Sequence, residues 1–439
     1  MKLYRLGKNL IGQAFNVYFR KIDYSGFENI PLGKPMLFSC NHPTGFFEPC
    51  LLACLTDNME YYFLTRGDVF KKPFYRMLLE GLNMIPIFRF KDGYANLKNN
   101  SVLMENIYKI LSENKSIIIF TEGGTITVKR LRPLQKGLAR MAFGSYDTYG
   151  DLDLQVIPVG ISYTEPHRFR SEAMVQFGEP IPLNKYYETY KENNIKAINQ
   201  LTSDLQKVMR PLIIEIEKPE NDELTENLLT LYRNSFPEPV FPIRQKSKRR
   251  LMAHQEIANR INALDENQLT ALKNRTDTYL SSLTHQGLND FAVAQPWHAN
   301  TKNTLALIIG FIPFAIGWVT HQIIVWYAQK TKREKVKHLE FEGPILAGTA
   351  LGITIIQYLV LIILSFIINH WTFYAFVFLM PFLGFYAILY RDMREKYCLC
   401  CRLKGINTVT PERDNDKSVK GGLLALREER EAILKTVYR

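Results

Sequence analysis

Acidic residues are in short supply along this chain of 439 residues. There are 43 Asp and Glu against 55 Lys and Arg, which leaves a net charge of +12. An excess of that size points to an anionic partner: nucleic acid, a membrane surface or a phosphorylated small molecule. The basic residues form no dense stripe interleaved with aromatics, and no helix-turn-helix, zinc-finger or RNA-binding signature is visible. No nucleic acid partner is therefore expected. Histidine is scarce as well. Beyond His42, none of His167, His254, His285, His298, His321, His338 and His370 has a second histidine or cysteine four residues on, so no metal is expected. Cys40, Cys50 and Cys54 sit in apolar surroundings and read as thiols of a reducing compartment. Cys398, Cys400 and Cys401 follow a hydrophobic span and find no second ligand pair at zinc spacing. The opening stretch "MKLYRLGKNLIGQAF" has no apolar core ending in a small-residue cleavage site, and no signal peptide is expected. A content of 46% hydrophobic and 12% aromatic residues excludes a disordered chain.

Charge is missing altogether from three long stretches. Residues 305–328, 345–368 and 372–390 contain no Asp, Glu, Lys or Arg, and about 20 such residues span a bilayer core. An integral membrane protein is expected. The segment "KTKREKVKHLE" (330–340) carries five Lys and Arg against two Glu, and "RDMREKYCLCCRLK" (391–404) is also basic. The positive-inside rule makes both cytoplasmic, with a hairpin across 345–390 that turns near Asn369, His370 and Trp371. A catalytic domain on the cytoplasmic face then requires 305–328 to be a re-entrant half-hairpin, interrupted at Gly310, Pro313 and Gly317.

Upstream, apolar runs of strand length occur at 35–40, 61–65, 116–120, 154–163 and 173–177, with helical patterns between them at 68–81 and 100–113. Strands alternating with helices predict an α/β domain, preceded by a basic amphipathic helix within residues 1–23. The expected division is an α/β domain at 1–185, a helical appendage at 186–300, a membrane domain at 301–391 and a charged tail at 392–439. The basic run "RQKSKRR" (244–250) reads as a solvated face.

Four groups of residues can carry chemistry. In "SCNHPTGFFEPC" (39–50), His42 leaves a strand into a turn set by Pro43 and Gly45, and Glu48 is the acid nearby. A neutral imidazole can take a proton from a hydroxyl near neutral pH, and a carboxylate can fix its tautomer. A capping histidine with a surface glutamate would look the same in sequence. In "FTEGGT" (120–125), Glu122, Gly123, Gly124 and Thr125 form a loop whose backbone can approach an anion, and Lys129, Arg130 and Arg132 follow. Arg89 ends the apolar segment "MIPIFRF", where a guanidinium suits phosphate. Pro158 and Gly160 lie within "VIPVGISY", which taken alone is an ordinary β edge.

Together and in this order, the four groups resemble the PlsC-like glycerolipid acyltransferase family. That family carries a histidine–acid motif, a motif ending in arginine, a Glu-Gly motif and a motif centred on proline. The corresponding residues here are His42 with Glu48, Arg89, Glu122 with Gly123, and Pro158. The resemblance extends over roughly residues 15–182. The family's usual spacing is His-x4-Asp, whereas this chain has His-x5-Glu; the longer gap resembles the fungal glycerol-3-phosphate/dihydroxyacetone-phosphate acyltransferase branch. Thr121 stands where proline is common, and the motif arginine of the third group is absent, so Arg89, Lys129 and Arg130 become the candidates for phosphate.

The resemblance implies a glycerol-phosphate acyltransferase-like αβ domain, followed by a helical region and C-terminal transmembrane helices. It implies acyl transfer without a cofactor, from acyl-CoA or acyl carrier protein to glycerol 3-phosphate in phospholipid biosynthesis, at a membrane. His42 would act as general base, oriented by Glu48. The acceptor would be held by Arg89 and the 122–125 loop, with Lys129, Arg130 and Pro158 beside it. Alternatives are acylation of lysophosphatidate, acylation of an amine-containing lipid, or an inactive lipid-binding scaffold.

Overall fold

The computed structural model describes residues 2–56, 59–87, 99–408 and 416–438. The chain forms two compact units. The first comprises 1–215, 240–252 and 335–347; the second comprises 216–239, 253–334 and 348–439.

A mixed nine-stranded sheet organises the first unit. Its strands are β1 (Lys21–Ser25), β2 (Met36–Cys40), β3 (Tyr61–Arg66), β4 (Met84–Ile87), β5 (Ser116–Phe120), β6 (Gln155–Tyr163), β7 (Glu172–Phe177), β8 (Ile181–Pro182) and β9 (Arg244–Lys246). They run in the order β4-β3-β5-β2-β6-β7-β1-β9, with β8 pairing to β6. All pairings are parallel except those of β6 with β7 and β8. Every residue of β2 and of β6 is buried. Strands covered on both faces read as continuous apolar runs rather than alternating ones.

The two faces separate by the two-residue pleat. Leu37, Ile117, Ile119 and Val156 join Leu111, Leu138, Leu201 and Leu205 in one core cluster, built with the helices Asn99–Ser112, Gly137–Tyr149 and Asn194–Met209. On the opposite side of the pleat, Phe38 meets Tyr61 edge-on at 5.1 Å. The helix Lys2–Tyr18 packs on the helix Phe47–Leu55 through Phe15 and Phe47, 5.5 Å apart. The first unit therefore runs past residue 185. The periodic helix at 194–209, expected in an appendage, supplies part of the sheet's cover.

The first unit also takes in the basic run. Ile22 to Tyr24 pair with Arg244 to Lys246. Arg250 is 6% exposed, paired with Asp23 at 3.0 Å and with Glu172, which also accepts from Arg20 Nε at 2.9 Å. The solvated-face expectation holds for Lys246, Lys248 and Arg249, which are exposed, and is corrected at Arg250, which is buried because it finds opposite charges.

The second unit holds a helical core of Leu228, Leu229, Ile257, Ile261, Leu272 and Tyr279, closed by Ile433 and Val437 of the helix Asp416–Val437. Arg430 pairs there with the buried Asp290 at 2.7 Å. The C-terminal stretch, expected as a charged tail, is thus core. Among the described residues, three helices are long and apolar enough to cross a membrane: Phe311–Lys335, Leu339–Ile368 and Trp371–Leu403. The turn after Ile368 falls at Asn369, as expected. The half-hairpin does not form. A break follows Ile309, and the helix Phe311–Lys335 then continues unbroken through Pro313 and Gly317. Pro313 stands in its first turn, where no intrahelical N–H bond is lost.

Candidate active site

Three neighbouring strands set the site. Cys40 lies opposite Phe120 and Val159 in register, so the chain leaving β2 emerges beside the loop leaving β5. Asn41 fastens this exit to β6 by donating to the Ile161 carbonyl and accepting its N–H, both at 2.8 Å. His42 follows at once, its ring stacked on Phe120 with centroids 4.0 Å apart.

His42 Nδ1 is 2.9 Å from Glu48 Oε2. Glu48 is fully buried, and its other oxygen accepts from the Thr44 N–H at 3.0 Å and the Thr44 hydroxyl at 2.8 Å. A carboxylate in receipt of donors on both oxygens leaves Nδ1 as the protonated ring nitrogen and the lone pair on Nε2. Glu48 opens the helix Phe47–Leu55, where a negative charge suits the helix dipole. The five-residue gap and the longer acid are thus compatible with contact, because the turn at 43–46 brings the first helical turn back to the histidine. Burial, with the nearby Glu48 charge adding to it, pushes the Tyr163 hydroxyl and the Cys40 thiol well above their ordinary values. Burial likewise raises Cys54 to about 11. Neither thiol is a nucleophile at neutral pH.

Glu122 is the second hub. Its Oε2 accepts the His42 backbone N–H at 3.0 Å and Arg132 Nη2 at 2.8 Å, and its Oε1 accepts the Arg132 N–H at 3.0 Å. Arg132 also donates to the Gly124 carbonyl. Gly123 adopts φ +70°, a left-handed conformation that favours glycine. The Thr127 hydroxyl donates to the Pro43 carbonyl at 2.8 Å, which stitches the two loops together again. Among the described residues, no group of three or more His, Cys, Asp or Glu is placed to hold a metal ion.

A histidine held by a buried acid, on a loop braced by Glu-Gly, is the geometry of hydroxyl activation. Residues 21–162, which contain both hubs, match the acyltransferase family model. They form an acyltransferase domain. The chain is 27% identical over 257 residues to glycerol-3-phosphate O-acyltransferase 1 of Saccharomyces cerevisiae, covering 56% of this chain and 33% of that protein. It is 27% identical over 209 residues to glycerol-3-phosphate O-acyltransferase 2 of the same yeast, covering 46% and 27%. An uncharacterized acyltransferase of Schizosaccharomyces pombe is 34% identical over 108 residues, covering 24% and 16%. The chain thus spans about a third or less of the length of these curated relatives. The crystal structure of the 1-acyl-sn-glycerophosphate acyltransferase PlsC of Thermotoga maritima aligns with a TM-score of 0.34 at 15% identity, covering 46% of this chain and 78% of that one.

Within the acyltransferase domain, His42, Glu48, Glu122, Gly123 and Gly124 come together. Thr125 lies half-buried on the same loop. Lys129 is directed to the Thr164 carbonyl, at 3.0 Å from Nζ, and Arg130 is half-buried next to it. Pro158 is set apart: it is buried inside β6, in register with Ser39, three residues before His42 on β2. Arg89 lies outside the described residues. Sequence reasoning passed over Asn41 and Thr44, which hold the dyad, and named Arg132 only among the cations that follow the loop. The Asn-His pair at a strand exit could have flagged the first. Nothing in the linear run distinguishes Arg132 from Lys129 and Arg130.

Proposed function

We propose that this chain is a membrane-bound O-acyltransferase that moves an acyl group from acyl-CoA or acyl carrier protein to glycerol 3-phosphate, in phospholipid biosynthesis. The observation that carries this reading is the His42–Glu48 pair at 2.9 Å, with Glu48 fully buried and doubly donated by Thr44. His42 Nε2 takes the proton of the acceptor hydroxyl as its oxygen attacks the thioester carbonyl. The tetrahedral intermediate collapses, the C–S bond breaks, and the leaving thiolate recovers the proton from the imidazolium. Glu48 orients the ring and stabilises its charged form. Donors of the 122–125 loop face the developing oxyanion. The yeast relatives named for glycerol 3-phosphate support that acceptor.

Arg89 and Arg130 are assigned the acceptor phosphate. Pro158 supports the strand beneath the dyad. No cofactor enters the step. The test is a product assay by mass spectrometry on the reconstituted full chain, with acyl-CoA and either glycerol 3-phosphate or lysophosphatidate, and His42→Ala as control. Lysophosphatidate formed from glycerol 3-phosphate and lost in the variant is the expected result. Phosphatidate alone would move the assignment to the second acylation. No product from either acceptor would overturn it.

A further inference from the structure

The dyad is only as firm as the connection from His42 to Glu48. Within it, Thr44 gives its N–H and hydroxyl to Glu48, and its oxygen accepts the Phe47 N–H at 3.2 Å. Phe46, at the entry to the helix Phe47–Leu55, makes no side-chain cap. The rest of the hold comes from residues 335–347, a segment of the same unit in which the helix Leu339–Ile368 begins. Pro344 lies near the start of that helix and has no N–H to give the Glu340 carbonyl four residues back. That carbonyl instead accepts the Gly45 N–H at 3.0 Å. The ring of Phe341 lies directly over Gly45. A Cβ added to Gly45 would stand 2.5 Å from two ring carbons, and its three nearest heavy atoms all belong to that ring. Phe341 also meets Phe46, with ring centroids 6.1 Å apart. Gly343 is buried against the Phe47 ring, where a Cβ would stand 3.0 Å from Cε2. Residues 340, 341 and 343 thus touch 45, 46 and 47 in turn, up to the residue before Glu48.

We propose that Phe341 is a positioning residue of the His42–Glu48 pair. Its ring, with the Glu340 carbonyl beside it, holds the 44–46 turn in the shape that brings Thr44 to Glu48 and Glu48 to the imidazole. Phe341 acts through Gly45 rather than on the reacting atoms. It stands outside residues 21–162, the part of the chain that matches the acyltransferase family model. The inference rests on His42 as general base of the proposed reaction, and adds to it a residue from the start of a helix able to span a bilayer.

The test uses the full chain reconstituted for the product assay, with two variants that disturb the contact from opposite sides. Phe341→Ala removes the ring. Gly45→Ala drives a methyl into it without opening a cavity, and keeps the test decisive should Phe341→Ala fail to fold. Each should lower kcat about tenfold with KM for both substrates unchanged, since a small displacement of a catalytic group acts on rate. In the double variant the methyl occupies space that the ring has left. Its loss should therefore stay near about tenfold, rather than the roughly hundredfold of two independent sites. Phe341→Leu, which keeps an apolar side chain over Gly45, should recover most of the rate. Additive losses, or full activity in either single variant, would overturn the proposal. A rise in KM would overturn it too, by placing Phe341 on a substrate. A second readout needs no turnover: modification of His42, whose side chain is 13% exposed, by diethyl pyrocarbonate, followed by peptide mass spectrometry. It should quicken several-fold in both single variants. Unchanged modification alongside an inactive His42→Ala chain would overturn the positioning role and leave the catalytic reading intact. Faster modification alongside an active His42→Ala chain would remove the catalytic reading and leave the hold on the pair.

Discussion

At the scale of the residue, the site is two hubs sharing one histidine. His42 meets Glu48 through its ring and Glu122 through its backbone, so the two acids have different work. Removing the base in His42→Ala should lower kcat by at least about 10²-fold, read in the product assay; activity within tenfold of wild type would remove His42 from the mechanism. Glu48→Asp shortens the acid by one methylene in a site where both oxygens are already used. It should lose either the imidazole or Thr44, and kcat should fall with KM little changed. Arg132→Gln frees the Glu122 charge and loosens the loop that carries His42. A displacement of about 1 Å costs on the order of 10²-fold in rate, so kcat should drop while KM for glycerol 3-phosphate stays put. A rise in that KM alone would instead make Arg132 a substrate ligand. Of this set, His42, Glu48 and Glu122 were legible because a strand, a histidine and a spaced acid are linear features. Arg132 was not, since its role depends on a ten-residue loop folding back.

At the scale of the element, five strands read as apolar runs were found within a residue of their expected bounds, because central buried strands need apolar side chains on both faces. β1 and β9 escaped for the opposite reason. Lys21 and Asp23 are buried in β1, satisfied by the Pro242 carbonyl at 2.7 Å and by Gln245 and Arg250. A strand whose polarity is cancelled by a segment more than 200 residues distant has no signature of its own. The helix Asn194–Met209 was legible as a helix, but its destination was not, since periodicity tells which face is buried and never against what. Leu201, fully buried in the cluster with Leu37 and Val156, makes this testable. Leu201→Ala should cost about 2–5 kcal/mol. Amide exchange should then quicken in β5 and β6, and leave the helix Glu266–His285 untouched. Protection lost only within 194–209 would return that helix to an appendage.

At the scale of the whole molecule, charge decides acid stability. Burial opposes ionisation of Glu172, but Arg20 and Arg250 outweigh it and lower its carboxyl from the ordinary 4.5 to about 2. A depressed folded value means that the stabilisation is complete above the unfolded value and is lost as pH falls from about 4.5 through about 2. The unfolding midpoint should therefore decline across that window in wild type. Glu172→Gln should start about 3–5 kcal/mol lower, with Arg20 losing its carboxylate and Arg250 keeping only Asp23, and show a flatter decline. The nesting of the chain has one more consequence. The Gly45 N–H, in the loop between His42 and Glu48, donates to the Glu340 carbonyl at 3.0 Å, and residues 335–347 belong to the first unit. During synthesis, the acyltransferase domain must wait for this bond until the helix Phe311–Lys335, long and apolar enough to cross a membrane, has already been made. Competence is thereby ordered in time: the catalytic loop receives its last backbone partner only after the nascent chain has acquired a segment that commits it to a bilayer.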